Sequence, residues 1–359
     1  MGLVVYWYDF ICFGIVAAAV LGAAVVLVRK EGAAEGILSW RRRIRRAKPE
    51  GEPFKYESLF LPILEDYEED EGDVRAKEPA GLITWEEMWM SCWVCLHPAV
   101  LLVVRFVALV VMVLLLAWDI DIWGGTIYVY YTEWTFTLVI IYFGLATLIS
   151  IEGCYEWYKQ GSVRDQHETT DFLRMDTEQE AYAAERAGEN INENTVRLQR
   201  HQEQENRKKA GFWGYTMQIL FQTCAGSVVM TDIVFWVIIV PFLSTERFSL
   251  NLLMGSMHSV NAFFLIVDSA LNSMHFPWFR GAYFMLWTAL YVIFQWIIHA
   301  CGFSWWPYPF LELSTAWAPL WYFALAILCI PCYGLFTLLI KGKERYFPKW
   351  FPHAYQNLN

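Results

Sequence analysis

The sequence predicts an all-α, polytopic membrane bundle of about seven transmembrane helices, N-terminus outside and C-terminus cytoplasmic. Three observations carry this expectation. Apolar stretches long enough to cross about 30 Å of hydrocarbon recur along the 359 residues. Hydrophobic residues make up 57% of the chain and charged ones 18%, with a mean hydropathy of +0.31, a profile that excludes an ordinary soluble domain. Of the 27 Lys and Arg, all but Arg105 and Arg247 fall in segments that share one side once the N-terminus is placed outside.

Residues 1–28 read as an N-terminal transmembrane anchor. No positive charge precedes the apolar run, and Arg29, Lys30 and the Arg-rich stretch 41–46 follow it, so retention is expected, with cleavage after an Ala-rich site as the alternative. Ala17, Ala18, Gly22 and Ala23 are small enough to admit a neighbouring helix. Residues 29–97 are expected to form a cytoplasmic linker. Its acidic run, 65–73, reads as a solvated spacer or a partner-docking tail. The Trp- and Met-rich stretch 82–96 is expected as a helix lying in the membrane interface.

Residues 98–340 are expected to hold six more spans: 98–118, 131–151, 215–242, 254–276, 281–301 and 316–340. A short acidic outer loop carries Asp119 and Asp121, and a long polar cytoplasmic loop covers 152–211. Residues 341–359 read as a basic cytoplasmic tail.

The fifth span carries the chemistry. His258, Asn261, Asp268, Asn272 and His275 recur at spacings of three, four and seven, a single stripe of one helix. Such groups are costly in lipid, so the stripe is expected to face protein or trapped water. Threading the spans places His258 about one turn below the outer surface, level with Thr132 at the head of the third span and His299 at the end of the sixth. The aromatic segment Trp305-Trp-Pro-Tyr-Pro-Phe-Leu-Glu312 would cover them. A hydroxyl beside a neutral imidazole can be activated as a nucleophile. The bland alternatives are a Thr that caps a helix and His residues that satisfy local hydrogen bonds.

Deeper in the membrane, Arg105 and Asp268 share an inner-leaflet depth, where pairing would remove two lone charges. A structural pair and a proton relay both fit, and Asp232, further out in the fourth span, reads as a transport site or a second structural partner. The eight cysteines are scattered. Cys92-Trp-Val-Cys95 with His97 makes half a zinc site, but no second pair accompanies it, so no metal is expected. Cys329-Ile-Pro-Cys332 reads as helix packing.

His258, Asp268, His275-Phe-Pro, Trp287, Tyr291, His299 and the block Trp306-Pro-Tyr-Pro-Phe-Leu-Glu312 resemble the rolling-stone-like proteins and the related androgen-induced and androgen-dependent membrane hydrolases. Tyr131-Thr-Glu-Trp134 is similar to the family's Thr-bearing motif, and around it the chain follows the rolling-stone pattern more closely. The resemblance spans roughly residues 98–340, with the first span as an addition. It implies a Thr nucleophile at Thr132 and a base at His258, acting on fatty-acid esters of hydroxy fatty acids. Asp268 stands where the family carries Glu.

The expected function is therefore a threonine-dependent hydrolase of lipid acyl esters, with Thr132 and His258 catalytic and His299, Glu312 and Asn261 in support. No cofactor is implied, and the partners are the bilayer and a lipid ester substrate. A non-catalytic membrane protein acting through its cytoplasmic segments in cell-surface or trafficking processes is the alternative, and a transporter built on Asp232, Asp268 and Arg105 a third. No inverted repeat supports transport. No Gly-x-Ser-x-Gly elbow is present, and no basic face suits nucleic acid.

Overall fold

The computed structural model describes residues 6–47, 84–178, 210–242 and 252–355, with backbone alone for 32–47, 160–178 and 242. The acidic run 65–73, residues 179–209 and Arg247 lie outside the described residues. Nine helices order the description: α1 (Trp7–Ala47), α2 (Trp85–Trp89), α3 (Pro98–Trp123), α4 (Tyr131–Glu178), α5 (Phe212–Ile233), α6 (Leu252–Met257), α7 (Val260–Leu271), α8 (Gly281–Ala300) and α9 (Ala318–Trp350). A π-helical stretch, Val234–Ile239, and a last turn, Val240–Phe242, prolong α5. Among the described residues seven helical stretches are long and apolar enough to cross a membrane. The chain is an integral, multi-pass membrane protein.

The packing follows from where each helix is apolar on the inside. α3 lies on α4, α4 on α5, and α5 on both α8 and α9, while α1 closes the bundle against α8 and α9. Phe136, Tyr142, Phe143, Phe221 and Phe284 fill the centre without exposure. Large apolar residues such as Leu114, Leu148, Leu320 and Leu338 face outward, as a lipid-facing surface requires. Gly226 of α5 meets α8 so closely that an added Cβ would lie 2.5 Å from the Phe284 ring. Gly226→Ala is expected to destabilise the bundle by about 1–3 kcal/mol through overpacking. Melting of the purified protein in detergent reads this, and an unchanged midpoint would show that α5 and α8 are not so apposed.

Several sequence expectations need correction. Asp119 and Asp121 do not form a loop, because α3 runs on to Trp123 and buries Asp119. The stretch 82–96 is not one interfacial helix. Only α2 is helical, and Glu87, Met88 and Trp89 are buried. The backbone beyond it pairs with distant neighbours: Cys92 N–H donates to Leu271 O at 2.9 Å and Val94 N–H to Ala354 O at 2.8 Å. Trp93 is seated between α7 and the end of α9, donating to Ala270 O and packing on Phe347, Phe351 and Tyr355.

Of the four small residues in the first span, Ala17, Ala18 and Gly22 face outward, and only Ala23 is buried, against Ala282. The basic tail is not wholly solvated either. α9 continues to Trp350, and Lys343 is buried with its Nζ donating to Ser269 O at 2.8 Å and Asn272 O at 2.5 Å. It neutralises carbonyls at the end of α7, where a cation is favoured.

The fifth span is also not a continuous helix. α6 stops at Met257 and α7 starts at Val260, because Asn261 Oδ1 accepts the Ala262 N–H at 2.7 Å. That is the donor an unbroken helix would give to His258 O, and short polar side chains compete for it in this way. α7 ends at Leu271, so Asn272 and His275 lie beyond the helix on an extended segment.

Candidate functional site

α4 and the broken fifth span (α6, the break at His258, and α7) run in parallel and meet in two polar layers. Thr132 approaches His258, and Tyr142 donates to Asp268. Both contacts span 126 residues of sequence, which fixes the parallel register. Ten residues at 1.5 Å each separate the layers by about 15 Å.

The first layer is built at the head of α4. Tyr291 and Gln295, one turn apart on α8, both donate to Val129 O, at 2.7 and 2.6 Å. The Trp134 indole donates to Tyr128 O at 2.9 Å. These bonds hold the turn that launches α4. Tyr131 is then anchored by hydroxyl contacts with Ser227 at 3.3 Å and Thr288 at 3.0 Å. Thr132 follows, with its Oγ1 3.5 Å from His258 Nε2. The two residues are 8% and 6% exposed, so solvent does not separate them. The contact is long for a hydrogen bond, as resting acid–base pairs often are.

His258 is held by the π-helical end of α5. Its ring stacks on Phe235 at 3.6 Å between centroids and 6° between planes. The Trp236 indole donates to His258 O at 3.3 Å, taking the place of the helical donor that Asn261 diverts. π-Helical turns of this kind recur at functional sites. His258 Nδ1 is buried without a hydrogen-bond partner among the described residues, so no carboxylate orients the ring from behind.

Thr132 and His258 open onto a cavity of about 80 Å³, room for several waters by the usual volume per site. Its walls include Val16 of α1, Phe235, Val292 of α8, Tyr308 and Leu325 of α9. Among the described residues no Asp, Glu, Lys or Arg side chain lines it, so the space suits an uncharged, largely apolar group. The first span thus contributes a wall as well as an anchor. It is fastened further by Glu31, which accepts from Arg280 at 2.8 Å.

The remaining sequence candidates sit elsewhere. His299, Glu312 and Asn261 do not line the cavity. His299 is stacked on Trp306 and bridges two carbonyls, Gln295 O at 2.6 Å and Trp305 O at 3.0 Å, which fastens the connection after α8. Glu312 accepts from Ser314. Asn261 acts through the break in the helix. The groups that hold His258 are therefore Phe235 and Trp236, not His299 or Glu312. At the other end of the molecule Cys92 Sγ donates to Ala270 O, burial pushes that thiol's pKa up, and His97 caps α3 through the Ala99 N–H. Those contacts give Cys92 and His97 structural roles, while Cys95 is exposed.

The second layer is an ion-pair network. Arg105 Nε donates to Asp268 Oδ1 at 2.8 Å, and neither side chain has any exposure. Asp268 Oδ2 accepts from Tyr142 and from Asn272, the latter at 2.9 Å. Arg105 Nη1 donates to Met88 O at 2.8 Å and Ser150 Oγ at 2.7 Å. The network ties α3, α4, α7 and the α2 segment together. Tyr142, Ser150 and Asn272 share the burden of two buried charges, as such pairs require.

Sequence reasoning misses Tyr308 as a site residue. Its hydroxyl accepts the Tyr131 N–H at 3.2 Å, and it lines the cavity with Thr132 and His258. The signal lay in the Pro-flanked aromatic block, which reads only as a lid. No protein-family model, curated protein or solved structure matches the chain.

Proposed function

We propose that the chain is a threonine-dependent hydrolase of neutral lipid acyl esters. The reading is carried by one observation: the Thr132 hydroxyl lies 3.5 Å from an imidazole nitrogen, both buried on the wall of an apolar cavity. The resemblance of His258 and the Tyr131–Trp134 motif to the membrane hydrolase family supports it.

In this reading an acyl chain lies among the apolar walls with its ester carbonyl beside Thr132. Oγ1 attacks the carbonyl carbon as His258 Nε2 takes its proton. The tetrahedral species collapses with cleavage of the ester C–O bond, and the departing alcohol takes the proton from His258. A water, deprotonated by the same imidazole, then attacks the acyl-threonine. The carboxylic acid leaves as His258 returns the proton to Oγ1. The Thr132 end of the bundle faces the non-cytosolic side, as the distribution of Lys and Arg favours. The Arg105–Asp268 layer is structural.

Purified full-length protein in detergent, offered a p-nitrophenyl acyl ester, is expected to release nitrophenol, and Thr132→Ala is expected to abolish the release with the melting point kept. Equal turnover in folded Thr132→Ala would remove Thr132 from the chemistry.

A further inference from the structure

We infer that the cavity beside Thr132 is a blind acyl pocket that ends at Met285, and that Met285 sets the length of acyl chain the protein cleaves. This inference rests on the hydrolase reading above and names the substrate class within it, esters of medium-chain fatty acids. Helix registers give the depth. Thr231 Oγ1 lies 3.5 Å from Thr135 Oγ1 and the Phe221 ring packs on Tyr142, so α5 runs antiparallel to α4 and Val234 is level with Thr132. Gln218 meets Arg280 and Gly226 meets Phe284, so α5 and α8 are parallel and Val234 is level with Val292. The Tyr131 and Tyr291 rings, 5.0 Å apart, agree with that level. Val292 and Met285 both line the cavity, two turns apart on α8, which puts Met285 about 10 Å deeper in the bundle than Thr132.

The pocket has a floor there. The Trp296 indole donates to Tyr322 at 2.9 Å, and Gly281 meets Tyr333, where an added Cβ would lie 2.9 Å from the ring. Those contacts make α9 antiparallel to α8 and set Cys329 beside Met285 and Ala289. Cys329 Sγ is in turn 4.0 Å from Met230 Sδ of α5. Beneath these residues the helices close on one another: Phe284 covers Gly226, Tyr333 covers Gly281, and Ala23 and Leu27 of α1 pack on Ala282. Among the described residues none lines the cavity below Met285 on α8 or beyond Cys329 on α9. An extended chain advances about 1.25 Å per C–C bond, so about eight carbons fit between Thr132 and the Met285 thioether. The cavity holds about five to eight waters, which agrees with that length because a methylene fills roughly the space of one water.

The test is the profile of kcat/KM against acyl length for p-nitrophenyl esters from butyrate to palmitate. Full-length wild type, Met285→Ala and Met285→Trp are compared in detergent, with folding followed by melting. In the wild type kcat/KM is expected to rise about fourfold per methylene to a maximum near about eight carbons, and to fall by about tenfold or more at palmitate. Met285→Ala removes the outer atoms of the floor side chain and is expected to move the maximum about three carbons longer. Met285→Trp raises the floor and is expected to cost octanoate about tenfold or more relative to butyrate. The ratio between esters within one protein is the readout, because a purely structural role lowers every ester alike. A folded variant with the wild-type ratios overturns the inference, and so does a wild type that cleaves palmitate as fast as octanoate. Should Met285→Trp not fold, Met285→Ala decides alone. A wild type that cleaves no ester of any length sinks the hydrolase reading and this inference with it. Turnover without a maximum along the series sinks this inference alone.

Discussion

Asp268→Asn is expected to destabilise the bundle by about 3–5 kcal/mol. The carboxylate accepts from Arg105, Tyr142 and Asn272, and all four side chains are wholly buried. An amide keeps the shape but removes the negative charge, leaving the Arg105 guanidinium far from water without a counter-ion. Its Nη2 has no partner among the described residues even in the native state. Arg105→Ala strands the opposite charge and is expected to cost a similar amount. The double variant Arg105→Met/Asp268→Leu strands neither, so it should be milder than either single change, a departure from additivity that marks direct coupling. Denaturation in detergent measures all three. Single variants as mild as a lipid-facing substitution at Leu114 would refute the pairing.

His258→Ala is expected to lower kcat by about 10²–10⁴-fold, the range for loss of a positioned general base. KM should change little, because the cavity walls proposed to hold the acyl chain remain. The Thr132→Ala/His258→Ala double variant should be no worse than the more damaging single, since nucleophile and base act as a unit. Multiplying losses would mean that the two residues act independently. Ester turnover at saturating substrate, with folding checked by melting, separates these outcomes.

How much of this was legible depends on what each residue needs from its neighbours. Span number and identity follow from apolar length alone. The common depth of Thr132 and His258 follows from threading, because alternate spans cross in the same sense and keep the same register. Counting from the inner surface, where the second span enters and the fifth leaves, brings Arg105 level with Asp268. Helix ends were less legible. A hydropathy reading stops at Asp119, yet a carboxylate one turn from a membrane surface does not end a helix. The break at His258 was hidden because an Asn inside an apolar run shows only lowered helix preference, while its capture of the Ala262 N–H exists only in three dimensions.

Lys343 and Arg280 were assigned to solvated segments for a related reason. Their acceptors, the carbonyls after α7 and the carboxylate of Glu31, come together only when distant helices pack. The role of α1 was missed likewise, since nothing in its own residues announces that Ile15, Val16 and Ala19 wall the cavity. Tyr308 stands in a block whose aromatic density masks the hydroxyl that accepts the Tyr131 N–H.

The most direct test of the reaction centre is to treat purified protein with a fluorophosphonate and map the adduct by peptide mass spectrometry. Attack forms an O–P bond, breaks the P–F bond and passes the hydroxyl proton to His258. The account expects the phosphonyl mass on the peptide bearing Thr132, and its loss in His258→Ala. Modification at any other residue, or at Thr132 with undiminished rate in His258→Ala, would contradict it.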